Sequence, residues 1–160
     1  MISSRLDAEP EAEPKLLRDN EGKAFQGSVL QGIGLVLERE EAERLIAEDR
    51  RNRDCLLPYL TGEDVNARPD QSPSRWVVCF FDWSLDQAVR YPDLLGIIEQ
   101  RVKPERDRVK EKLERERWWL FTRYRVHMRQ AIAHLQRVLI TQPCERTSYA
   151  FVRAQGVCLR

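Results

Sequence analysis

The chain has 160 residues, 42% of them apolar and 33% charged, against about 45–50% and about 25% in an average domain. Its 27 basic and 26 acidic residues leave a net charge of +1, so net charge by itself singles out neither a nucleic-acid nor a membrane partner. No apolar run reaches the roughly 18 residues that span a bilayer, and Met1-Ile2-Ser3-Ser4-Arg5-Leu6-Asp7 lacks the apolar core of a signal peptide.

Residues 1–23 carry Glu9-Pro10, Glu11 and Glu13-Pro14 with few apolar residues, and read as a disordered linker or tail. A folded unit is expected over 24–160. Ala24 to Leu37 mixes β-formers with Gly27, Gly32 and Gly34. It reads as two short strands or one bent strand, its glycines serving a bulge or turn. Their spacing does not fit a dinucleotide-binding G-x-G-x-x-G. Glu40 to Asp49 predicts a helix with an Ala42, Leu45, Ile46 stripe. Leu56-Leu57-Pro58-Tyr59-Leu60 and Thr61-Gly62-Glu63-Asp64-Val65-Asn66 follow with no element assigned. Residues 67–74 are dense in turn formers and predict a loop.

Arg75 to Asp82 is the clearest strand, and its continuous apolarity from Trp76 to Phe81 predicts cover on both faces. Ser84-Leu85-Asp86-Gln87 is a capping box for a short helix. Pro92 suits the first turn of the next one, which carries Leu94, Leu95, Ile97, Ile98 and Val102 before Pro104 kinks or restarts it. Residues 105–117 have high helix propensity but only Val109 and Leu113 as apolar contacts, predicting one polar helix with a narrow stripe. Trp118-Trp119-Leu120-Phe121 ends it with large buried surface. Met128, Ala131, Ile132 and Leu135 mark a further helix. Strands are expected at 137–141 and 148–152 around a turn at Pro143, with another just beginning at Val157-Cys158-Leu159. The whole predicts an α+β fold, with several helices on a mixed or antiparallel sheet, truncated at its C-terminus.

Division by position makes charge informative. Residues 1–54 and 55–100 each carry a net −4, residues 101–137 carry +7 and residues 138–160 carry +2. An arginine-rich block of this kind points to an anionic partner, although helices that pair Glu with Arg on their own surface are common. Arg101, Arg108, Lys112 and Arg115 recur at intervals that place them on one helix face.

Cys55, Cys79, Cys144 and Cys158 form no C-x-x-C pair, so a zinc site is not expected and reduced thiols in a cytosol are. His127 and His134 have no obvious third partner. Pro92-Asp93 with Glu99-Gln100-Arg101 only loosely resembles a nuclease pattern, ending in Arg where Lys is usual. There is no P-loop, G-x-S-x-G or H-E-x-x-H. The Asn/Asp-Pro-Pro-Tyr/Phe tetrapeptide with which amino-methyltransferases hold an extruded base is also absent.

Several runs nonetheless belong together. They are Phe25-Gln26-Gly27-Ser28 with Gly32-Ile33-Gly34-Leu35-Val36-Leu37; Pro58 to Asn66; Pro73-Ser74-Arg75-Trp76-Val77-Val78; Tyr91-Pro92; Val102-Lys103-Pro104-Glu105-Arg106-Asp107; and Arg115-Glu116-Arg117-Trp118-Trp119. In this order they resemble the target-recognition region of large class I adenine-specific bacterial DNA methyltransferases. That family includes the MmeI-like type II restriction–modification proteins and phage-defence methylases. The resemblance implies a cytoplasmic, non-catalytic fragment that reads double-stranded DNA. S-adenosylmethionine would bind only in a missing core, which a separate methyltransferase polypeptide could supply, and no cofactor is expected here. Arg101, Lys103, Arg108, Lys112, Arg115 and Arg117 are expected at phosphates. Arg68, Gln71, Ser74 and Arg146 are expected at base edges, with Asp70 and Arg153 as further candidates. Trp118 and Trp119 are expected to anchor the helix rather than stack on bases. The alternatives are a protein-interaction module using the basic 105–117 helix, or a non-functional gene remnant.

Overall fold

The computed structural model describes residues 18, 21–141, 149–153 and 158–159. Most of the expected 1–23 tail, the turn at Pro143, Cys144 and Arg146 lie outside the described residues, as does the side chain of Arg153.

The order is β1 (Val36–Leu37), α1 (Arg39–Glu48), a 3₁₀ turn (Arg50–Asp54), β2 (Leu56–Leu60), α2 (Gly62–Ala67), β3 (Arg75–Val78), α3 (Leu85–Ala88) and α4 (Pro92–Arg101). There follow α5 (Lys103–Arg106), α6 (Lys112–Glu116), α7 (Val126–Ile132), β4 (Arg137–Thr141), β5 (Tyr149–Arg153) and β6 (Cys158–Leu159). The fold is α+β. One sheet has the order β1-β3-β2-β6, and β4 pairs with β5 in a second. β3 is antiparallel to both neighbours, with Val36 opposite Val77 and Leu57 opposite Val77 on its other side. β6 joins β2 in parallel, so the first sheet is mixed.

Local signals account for much of this. Ala42 and Leu45 are buried on α1, Leu94 and Ile98 on α4, and Val77 to Phe80 along and just after β3. β3 is shorter than its apolar run because Phe81 turns to φ 55°. Gln87 Oε1 accepts from the Ser84 amide at 3.0 Å, closing the expected box at α3. The 24–37 region is less regular than expected: Val29 bridges Arg123, and only Val36 and Leu37 form a strand.

Gly34 is required by close approach. A Cβ there would lie 2.8 Å from Val102 Cγ2 and 3.0 Å from the Arg101 carbonyl oxygen. The core gathers Leu35, Leu37, Leu56, Phe80 and Ile98 with Trp118 and Trp119. Both tryptophans are buried, and Trp119 Nε1 donates to the Trp83 carbonyl at 3.0 Å. Their anchoring role is as expected. Cys55, Cys79 and Cys158 are buried free thiols. Burial pushes Cys55 and Cys79 up to about 12, which leaves little reactive thiolate at neutral pH.

Residues 105–117 do not form the single helix that their propensity predicts. The chain instead forms two short helices, α5 and α6, separated by residues 107–111. Propensity is overridden by tertiary contacts. Arg106 is 2% exposed, and its guanidinium donates to Glu114 at 3.1 Å, Thr122 Oγ1 at 2.6 Å and the Leu30 carbonyl at 2.9 Å. Residues eight apart on a straight helix stand about 12 Å apart along its axis, so this ion pair requires the chain to bend. Arg115 Nη1 then donates to the Val109 and Lys110 carbonyls at 2.6 and 2.9 Å, tying the bend together. Leu113, half of the expected stripe, is 64% exposed. Leu135 falls past the end of α7 and is also exposed.

Candidate nucleic-acid interface

The base-reading candidates Arg68, Gln71 and Ser74 share one loop, placed by α2. Thr61 caps that helix, and Asp64 Oδ2 accepts from the Thr61 amide and hydroxyl at 2.9 and 2.8 Å. Asp64 Oδ1 accepts from the Ser74 amide at 3.1 Å, holding the far end of the loop. Burial pushes the Asp64 carboxyl up, but its hydrogen bonds from Ser74 and Thr61 outweigh this and keep it below its ordinary value. The Ser74 hydroxyl also serves Asp64.

Arg68 is exposed, and its Nη1 donates to Ser72 Oγ at 2.8 Å. Asp70 accepts from the same hydroxyl at 3.0 Å and from the Ser72 amide at 3.2 Å; these bonds lower its carboxyl. Gln71 sits at φ 53°. The loop is thus internally braced. Its hollow, about 330 Å³, has Glu38, Glu63 and Asp64 beside Arg68 and Arg75, a mixed charge rather than a cationic one.

The phosphate candidates do not form one ridge. Arg101 pairs with Glu41 of α1 at 2.7 Å, Lys103 with Asp107 at 3.7 Å and Lys112 with Glu116 at 3.5 Å. Arg115 serves the backbone of the bend. Arg108 and Arg117 are exposed, and neither has an ion-pair partner among the described residues. The shared helix face expected for Arg101, Arg108, Lys112 and Arg115 is lost with the helix. The first turn of α1 links the two candidate regions: Arg39 donates to the Pro73 carbonyl at 3.3 Å, while Glu41 holds Arg101.

A second set of cations stands on two stretches of sequence without acids. No Asp or Glu occurs from Gly22 to Leu37, nor from Arg117 to Cys144. Residues 26–29 of the first pack on residues 123–125 of the second. Val29 and Arg123 exchange backbone hydrogen bonds at 3.0 and 3.1 Å, and the Ser28 hydroxyl donates to the Tyr124 carbonyl at 3.2 Å. Arg125 donates to the Gln26 side chain. Lys23, Arg117, Arg123 and Arg137 are exposed along these stretches, with His127 and His134 exposed as well. Arg129 is half-buried instead, its guanidinium 4.9 Å from the Tyr124 ring centre. Carboxylates of neighbouring elements border these stretches: Glu114 lies against Gln31, Glu105 lies against Gly32 and Asp82 acts on Tyr124. Counting arginines leads to the 101–117 segment, whose carboxylates are interleaved; the signal that finds this second set is a run without acids.

No family model and no curated protein matches the chain. A solved structure of the type IIL restriction–modification enzyme MmeI in complex with DNA does match, with a TM-score of 0.57 at 14% identity. The match covers 83% of this chain and 17% of that one. The fold is shared with part of that enzyme. The chain therefore spans about a sixth of the enzyme's length. Among the described residues, no helix is long and apolar enough to cross a membrane.

Proposed function

We propose that this chain is a non-catalytic DNA-binding unit: a target-recognition region of an adenine-specific DNA methyltransferase in a restriction–modification or phage-defence system. Its partner is double-stranded DNA, and its place is the cytoplasm. The observation that carries this reading is the pair of acid-free stretches that meet at Val29 and Arg123, with Lys23, Arg117, Arg123 and Arg137 exposed along them. Duplex binding draws most of its affinity from phosphates, and exposed cations with no carboxylate in their own stretch of chain suit them. The fold shared with part of a DNA-bound enzyme adds support.

In this reading Arg108 and Arg117 extend the phosphate contacts. Arg68 and Gln71 offer side chains to base edges from a braced loop, which suits recognition because a fixed loop loses little freedom on binding. Arg101, Lys103 and Lys112 contribute less, since each first has to leave a carboxylate. The protein-interaction alternative loses the continuous basic helix on which it was built.

The test is duplex affinity by fluorescence anisotropy. Arg123→Glu with Arg137→Glu weakens binding strongly, whereas Lys103→Glu with Lys112→Glu weakens it less. Equal losses from the two pairs, or no loss from the first, would reject the acid-free stretches as the place where DNA binds.

A further inference from the structure

A groove of about 770 Å³ runs between residues 22–27 and the junction of α7 with β4. Phe25, Met128, Leu135 and Leu139 line it, and Phe25 and Leu139 are 42% and 55% exposed. Lys23 and Arg137 stand at its rim, and no carboxylate lines it among the described residues. A phosphate backbone gains nothing from so much exposed apolar surface. The groove suits an occupant that offers apolar side chains and negative charge together.

Residues 1–17 have that chemistry. They carry Asp7, Glu9, Glu11 and Glu13 against only Arg5 and Lys15, with apolar side chains that include Leu6, Leu16 and Leu17. They also lie next to the groove in the chain, because its lining begins at Gly22. A five-residue tether reaches at most about 17 Å. We propose that the segment 1–17 docks into this groove of its own chain. Tethering supplies an effective concentration of about 1 mM, so an intrinsic dissociation constant near 0.1 mM gives roughly tenfold protection of the covered surface. The docked segment covers Lys23 and Arg137 and so competes with DNA. That consequence, unlike the docking, rests on the DNA-binding reading.

The experiment is amide hydrogen exchange on the full chain, comparing the natural protein with a D7N/E9Q/E11Q/E13Q variant. The variant is expected to exchange roughly tenfold faster at 23–27 and 131–140, and protection in the natural protein is expected to be independent of protein concentration. Equal exchange in the two proteins would overturn the docking. So would protection that fades on dilution, because a second copy would then be the occupant. Duplex affinity of the same variant is expected to rise roughly tenfold. Faster exchange with unchanged duplex affinity supports the docking and counts against the DNA reading of this face.

Discussion

Three side chains or backbone positions hold the candidate regions in place, and each has a distinct signature. Arg106 is buried against Glu114, Thr122 and two backbone carbonyls. Removing one partner of a buried ion pair strands the other, so Arg106→Ala is expected to cost about 3–5 kcal/mol in chemical denaturation. Arg106→Met with Glu114→Gln together should cost less than Arg106→Met alone; a cost as large or larger would argue against stranded charge as the cause. Asp64 behaves differently because its carboxyl lies below the ordinary range. A depressed folded-state value stabilises above the unfolded value of about 3.9, and that contribution disappears as pH falls through the lower folded value. Asp64→Asn is therefore expected to lower stability by about 1–3 kcal/mol at pH 7, with the gap closing below about pH 4. A gap that does not narrow as pH falls below about 4 would contradict this. Gly34 faces the Arg101 carbonyl across a space with no room for a methyl group. Gly34→Ala should lower the denaturation midpoint by the equivalent of about 1–3 kcal/mol, and an unchanged midpoint would show that α4 can shift without loss.

Elements set by neighbouring residues were legible in the sequence. The α1 stripe, the Ser84–Gln87 box, Pro92 at the start of α4 and the apolar run of β3 all depend on contacts within a few residues. Besides the 3₁₀ turn at Arg50–Asp54, two elements lack a clear local signal. β2 contains Pro58, a residue that argues against a strand interior, yet Pro58 pairs opposite Trp76. Among the described residues, β6 pairs with Tyr59 and Leu60 of β2 and not with Pro58. The box that starts α2 has Asp at its fourth position instead of the usual Glu or Gln. Residues 105–117 depart furthest from their local propensity. That propensity is local, but the Arg106 contacts with Leu30 and Thr122 that bend the segment are separated from it in sequence. No periodicity records such contacts.

At the scale of the whole molecule, the fold class and the polar character of the C-terminal half were readable, whereas the place of its positive charge was not. Counting arginines by position led to 101–117, and there the structure joins four of the eight cations to carboxylates: Arg101, Lys103, Arg106 and Lys112. Residues 117–137 carry five arginines and no carboxylate in the sequence itself; what only the fold shows is that residues 22–37, whose one charge is Lys23, meet them at Val29 and Arg123. The stretch that carries Arg68, Gln71 and Ser74 is a loop, as its turn formers predict, although the Ser74 hydroxyl serves Asp64. The most direct measurement is the salt dependence of duplex binding, natural protein against Arg123→Gln with Arg137→Gln. If both arginines neutralise phosphates, the slope of log K against log salt should flatten by about 1.8, or about 0.9 for each phosphate left without its arginine. An unchanged slope would contradict the account, whatever the change in affinity.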